Sequence, residues 1–174
     1  LGVLIPFALI AGGYGRAFLA AAVTTVLLAV LSWFVFGTGT WDAFLAQTAF
    51  ARQTLDHGLV DLHKMISVYA AARQVGAPIE LAYGLQILTA LGALVAVWGT
   101  WRGRAPFPAK AIVLVAAGLL ATPFALSYDL ALLAVALAFL LRFGQTEGLP
   151  PWSATLALVV VLMAAGTRFA GEVG

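Results

Sequence analysis

The sequence predicts an all-α fold, a polytopic bundle of transmembrane helices, on three observations. Only 9% of its 174 residues are charged and 63% are hydrophobic, whereas a soluble domain carries about 25% charge. Uncharged runs near the length that crosses a bilayer recur along the chain. Polar residues are confined to short breaks and one longer segment, residues 37 to 80. Mean hydropathy is +1.05.

Each element follows from that pattern. Leu1 to Ala11 is an apolar run of about 16 Å at 1.5 Å per residue, too short to span. It reads as the tail of a spanning helix that begins upstream, so the chain is expected to be the C-terminal part of a longer protein, with no signal peptide. Gly12-Gly13-Tyr14-Gly15-Arg16 is a turn with one cation. Ala17 to Phe36 is uncharged and long enough to span, with Trp33 and Phe34 near its far end, where aromatic rings favour the interface. Gly37-Thr38-Gly39-Thr40 is read as a break, with Thr40 as N-cap of the next helix. Trp41 to Leu55 places Trp41, Phe44, Leu45, Thr48 and Leu55 on roughly one face, the pattern of an amphipathic surface helix. Asp56-His57-Gly58 is a turn. A second short helix is expected from about Leu59 to Val75, ended by Gly76 and Pro78.

Leu81 to Trp101 is the next span. Arg102, Arg104 and Lys110 crowd the loop after it. Ala111 to Thr122 and Leu130 to Leu141 read as two shorter spans about the break at Pro123. Arg142 to Pro151 is read as a polar loop, and Trp152 to Thr167 as a last span. The expectation is therefore five full spans and one truncated one. Residues 1–174 form a single membrane domain, with 37–80 as a loop of short amphipathic helices.

Orientation comes from the cations. Arg16, Arg102, Arg104, Lys110 and Arg142 fall in one set of short loops. Arg52, Lys64, Arg73 and Arg168 fall opposite, nearly balanced by acids. The first set is assigned to the cytoplasm, so residues 37–80 and the turn at 122–129 face the extracytoplasmic side of a multi-pass cell-membrane protein.

Several chemistries are excluded. A net charge of +2 is too small to mark a nucleic-acid binder, and the chain has no cysteine for disulfides or thiolate metal sites. Two histidines with scattered acids do not form a metal-ligand spacing, so no metal is assigned. No P-loop, nucleotide fingerprint or nucleophile elbow is present, and no cofactor is expected.

The candidate chemistry lies in two places. His63 and Ser67 share a helix face at a spacing of four, and Asp61 and Lys64 are near enough to pair. A cation beside an imidazole at a membrane surface suits a phosphate or pyrophosphate. Interfacial anchoring of Lys64 and Arg73 is the alternative. Tyr128 and Asp129 lie at a helix break near the membrane. An acid there marks a functional site, or else Asp129 or Ser127 caps the helix that follows. Both readings stand on the sequence.

The run Leu62-His63-Lys64-Met65-Ile66-Ser67-Val68-Tyr69 resembles a motif of glycosyltransferase family 87, polyprenyl-phosphate-mannose-dependent enzymes of the GT-C superfamily. Ala121-Thr122-Pro123-Phe124-Ala125-Leu126-Ser127-Tyr128-Asp129-Leu130 resembles the second motif. Gly12 to Phe18, Phe36 to Leu45 and the order of spans match as well, so the resemblance extends over essentially the whole chain. The family often has Tyr where Phe124 stands and Asp where Ser127 stands, so this chain lacks the second acid. The resemblance implies a GT-C-like membrane enzyme that transfers a hexose, mannose, from a polyprenyl-phosphate donor to a lipid-linked or glycan acceptor outside the membrane. It puts His63, Lys64, Ser67, Tyr128 and Asp129 at the substrate. It also puts the general base in a loop upstream of Leu1, so that residues 1–174 alone would be inactive. The alternatives are a transporter or flippase coupled to Asp129, and a non-catalytic membrane scaffold. A transporter should show an internal repeat, and none is evident.

Overall fold

A computed structural model describes residues 2–56, 62–149, 151–153, 155 and 158. Every named element among them is helical: α1 (Leu4–Ala11), α2 (Gly15–Asp56), α3 (Val68–Gln74), α4 (Ile79–Arg102), α5 (Phe107–Ala121) and α6 (Leu132–Glu147), with 3-10 turns at Leu62–Lys64 and Ser127–Ala131. The chain divides into two compact units, one from Gly13 to Asp61 and the other from the remaining residues.

The first unit is α2. Its run Gly15–Thr48 is apolar and long enough to cross a membrane. The expected four-residue break is a kink at one residue, Gly37, with φ 76° and ψ 171°. Only glycine adopts that conformation without strain. The helix resumes at once, so Thr40 is not an N-cap. Its hydroxyl donates instead to the Phe36 carbonyl, 2.9 Å away, a back-bond characteristic of threonine inside or beside a bent helix.

The second unit is built on the hairpin of α4 and α5, flanked by α1, α3 and α6. Helix α4 covers the expected span with two extra residues at its start. Pro78 precedes it and Glu80 sits in its first turn, favourable against the helix dipole. Helix α5 starts four residues before the expected position, because Pro106 and Pro108 suit a helix's first turn. It ends at Thr122, held at φ −94° and ψ 130°, the extended conformation that a following proline imposes.

The core lies where α1 crosses the hairpin. Leu4 and Ala8 pack on Ala93, Val97, Trp101 and Ala117. Small residues let the backbones approach, as in membrane bundles. At the loop end of the hairpin, the Trp101 indole donates to the Lys110 carbonyl at 3.1 Å, and the Lys110 ammonium donates back to the Trp101 carbonyl at 3.1 Å. Phe107 meets Trp101 and Phe139 edge-on, which joins α6 to the same end.

Two further boundaries differ from expectation. The polar run from Arg142 continues α6 to Glu147, and Gly148 at φ 81° stops it. Of the helix expected from Leu59 to Val75, the described residues begin at Leu62, and from there it is a 3-10 turn, an extended step and then α3. The last expected span, Trp152 to Thr167, lies outside the residues described as an element, as do His57 and Asp61. Among the described residues, three helices are long and apolar enough to cross a membrane, and α5 is a shorter apolar one.

Candidate functional site

The two polar motifs meet. Met65 and Leu126 form an antiparallel bridge, and the Ile66 N–H donates to the Ala125 carbonyl at 2.9 Å. Ala125 is fully buried and Met65 nearly so. This pairing explains why the first motif is not one helix. The backbone at residues 65 and 66 is committed to a partner sixty residues away in sequence, and an extended step is the geometry that such a pairing needs. The antiparallel register sets Lys64, exposed, opposite Ser127.

Ser67 begins α3. It is extended, at φ −85° and ψ 157°, and its hydroxyl accepts from the Ala70 N–H at 3.2 Å. Ser67 is also 4% exposed, so its hydroxyl is occupied as an N-cap. The expected shared face with His63 does not exist, because His63 lies in the preceding 3-10 turn. Helix α3 closes with the stop signals read from Gly76: its φ is 85°, Gly76 N–H donates to Arg73 O and Ala77 N–H to Ala72 O, both at 3.0 Å. That pair of bonds is a Schellman motif. The Arg73 guanidinium donates to the Ala77 carbonyl at 2.8 Å and so reinforces the same turn.

Asp129 holds the second motif's turn. Its carboxylate accepts from the Leu126 N–H at 2.9 Å, while its own N–H donates to the Leu126 carbonyl at 2.8 Å. The carboxylate makes the N3 half of a capping box, reaching back over its turn, and the second bond is the backbone bond of the 3-10 turn itself. The capping role of Asp129 is therefore real. The residue remains half-buried, and its neighbour Tyr128 is 71% exposed.

Gln86 was not singled out by the sequence. It sits in α4, 3% exposed. Its side-chain oxygen accepts from the Tyr69 N–H at 3.0 Å, and its amide donates to the Leu120 carbonyl at 2.9 Å. Tyr69 ends the first motif, and Leu120 immediately precedes the second. Both backbone groups are orphans of helix ends: Tyr69 is in the first turn of α3, and Pro123 stops α5 before Leu120 can bond onward. One side chain in α4 thus ties the start of α3 and the end of α5 together, where the first motif ends and the second begins. The available signal was a glutamine inside an otherwise apolar span, where a polar side chain requires a partner. Tyr69, fully buried, packs on Tyr83 with ring centroids 4.7 Å apart. Beside this end, Val3, Phe7, Ile87, Leu91, Thr122 and Pro123 line an apolar hollow of about 360 Å³. Among the described residues, no group of His, Asp or Glu can hold a metal ion.

Long apolar helices with polar motifs gathered at one end of a hairpin define a helical membrane protein. The chain belongs to glycosyltransferase family 87, whose model matches residues 1–123, and it is a membrane glycosyltransferase by that membership. The match includes the first motif whole and ends at Pro123, inside the second, so it is shorter than the resemblance read from the motifs. No curated protein and no solved structure matches the chain.

Proposed function

We propose that this chain contributes the phosphate-side wall of an enzyme that transfers a hexose, mannose, from a polyprenyl-phosphate donor to a lipid-linked or glycan acceptor on the extracytoplasmic face. The observation that supports this most is the Met65–Leu126 bridge, which joins a cation-bearing turn to a second polar turn at one end of an apolar hairpin. Lys64 and His63 serve the donor phosphate, where fixed positive charge stabilises the departing group most strongly in a site that excludes water. Tyr128 and Asp129 face the same end. Ser67 supports the turn from beneath. The apolar hollow ending at Thr122 and Pro123 suits the first isoprene units of the donor. A polyprenyl-phosphate sugar is already activated, so the reaction needs no nucleotide or metal cofactor. Arg102, Lys110 and Arg142 belong to the opposite ends of α4, α5 and α6, which favours a cytoplasmic loop there and an extracytoplasmic site.

The test is mannose transfer by the full-length protein in membranes supplied with polyprenyl-phosphate-mannose. Lys64→Ala and His63→Ala are each expected to lower the rate about 100-fold, comparable to removing one charge-stabilising donor, with insertion unchanged. Wild-type rates in both variants would overturn the assignment and leave these residues as interfacial anchors.

A further inference from the structure

The kink of α2 gathers a different set of side chains. In a straight helix Trp33 and Trp41, eight residues apart, would stand about 12 Å apart along the axis. The turn at Gly37 instead brings both to one hollow of about 370 Å³, lined also by Ala29, Val30, Thr38 and Asp42. Trp33 is half-exposed, and its ring is tilted on Phe34 with centroids 5.9 Å apart. Trp41 is steadied by Phe44, edge-on at 6.2 Å. The Asp42 and Thr38 side chains are both exposed at the hollow. Both stand just beyond the apolar run that ends at Phe36.

We infer that this hollow binds a pyranose ring of the glycan that the enzyme handles, stacked on Trp33 or Trp41 and held through its hydroxyls by Asp42. The inference rests on the transferase reading above and adds a sugar site made of residues other than its phosphate-side ones. A pyranose has an apolar face of C–H groups and a rim of hydroxyls. The negative face of an indole attracts the first, and a carboxylate accepts strong charge-assisted hydrogen bonds from the second. Indoles that only anchor a helix at the interface need neither a hollow between them nor a carboxylate beside it. The volume falls in the range of small-molecule sites, about 300–1,000 Å³. The ring can come from the acceptor glycan or from the donor's own sugar, and the chemistry of recognition is the same.

The experiment uses the full-length protein in lipid nanodiscs. Tryptophan fluorescence is titrated with methyl α-mannoside and with a mannose disaccharide, and transfer kinetics are measured beside it. A saturable change is expected in the wild type. It should weaken at least about tenfold in Asp42→Asn, as for loss of a hydrogen bond to a charged group, and in Trp41→Phe. Trp98→Phe should leave it unaltered. A rise in acceptor KM alone in these variants assigns the ring to the acceptor, and a rise in donor KM alone assigns it to the donor. Sugar binding without any transfer would retain the hollow and refute the transferase reading. Transfer with both KM values unchanged in Asp42→Asn and Trp41→Phe, or no saturable fluorescence change in folded protein, would overturn the site and leave the transferase reading in place.

Discussion

Replacing Gln86 by Met keeps the shape of the side chain and removes both of its hydrogen bonds. The Tyr69 N–H and the Leu120 carbonyl then lose the bonds that Gln86 gives them. The Tyr69 N–H belongs to a residue with no exposed surface, and an unsatisfied buried donor costs about 1–3 kcal/mol. The Leu120 carbonyl belongs to a half-exposed residue, and side-chain hydrogen bonds between membrane helices average only about 0.6 kcal/mol. The Tyr69 end therefore dominates, and the sum is about 1.5–3.5 kcal/mol. The measurement is reversible unfolding of the purified protein in mixed micelles with a rising fraction of dodecyl sulfate, followed by far-ultraviolet circular dichroism. Gln86→Met should unfold at a clearly lower dodecyl sulfate fraction than the wild type. A stability within about 0.5 kcal/mol of wild type, the range of an ordinary surface substitution, would refute the role of Gln86 as the tie between α3, α4 and α5.

Three other outcomes follow from the same geometry. The bond from Ile66 to Ala125 makes Met65 and Leu126 a non-hydrogen-bonded pair, with α-carbons about 4.5 Å apart, within the reach of a disulfide. Met65→Cys with Leu126→Cys should cross-link spontaneously under mild oxidation in this cysteine-free chain, seen as a loss of two mass units, and a pair that stays reduced would contradict the bridge. Asp129→Asn should keep the cap and nearly all stability while lowering transfer, whereas Asp129→Ala should also lose about 1 kcal/mol; equal transfer by wild type and the Asn variant would reduce Asp129 to a cap. Val75, 84% exposed, should react as cysteine with an impermeant thiol reagent in intact cells, and Gly103→Cys should not; the opposite labelling pattern would reverse the proposed orientation.

What the sequence made legible were features written in local chemistry. The span at α4, the stop at Gly76 and Pro78, and the Thr122-Pro123 break depend on residues within one turn of each other. The misread stretches depend on something else. Arg142 to Glu147 is polar, yet Arg, Gln and Glu are good helix formers, so polarity there meant a water-facing helix end and not a loop. Residues 65 and 66 left the helical conformation because a backbone sixty residues later offered a partner, which no local propensity records. Gly37 was legible as a break, but a kink and a loop have the same composition. Of the site residues, Ser67 and Asp129 were found for their chemistry, and the structure occupies both with capping. Gln86 went unnoticed because its partners are main-chain groups, and these leave no trace in the choice of side chains.

The reciprocal bonds between Trp101 and Lys110 bear on the order of events during synthesis. These partners lie nine residues apart, so they can meet as soon as the loop between α4 and α5 has left the ribosome. Local contacts of this kind form early because little chain must be closed to make them. At the other end of the hairpin, Gln86 and Leu120 can join as the second motif begins to emerge. The hairpin is thus available as a finished template when residues 121 to 130 emerge. The first motif, although made earlier, has to wait for them, because the carbonyl it pairs with does not yet exist.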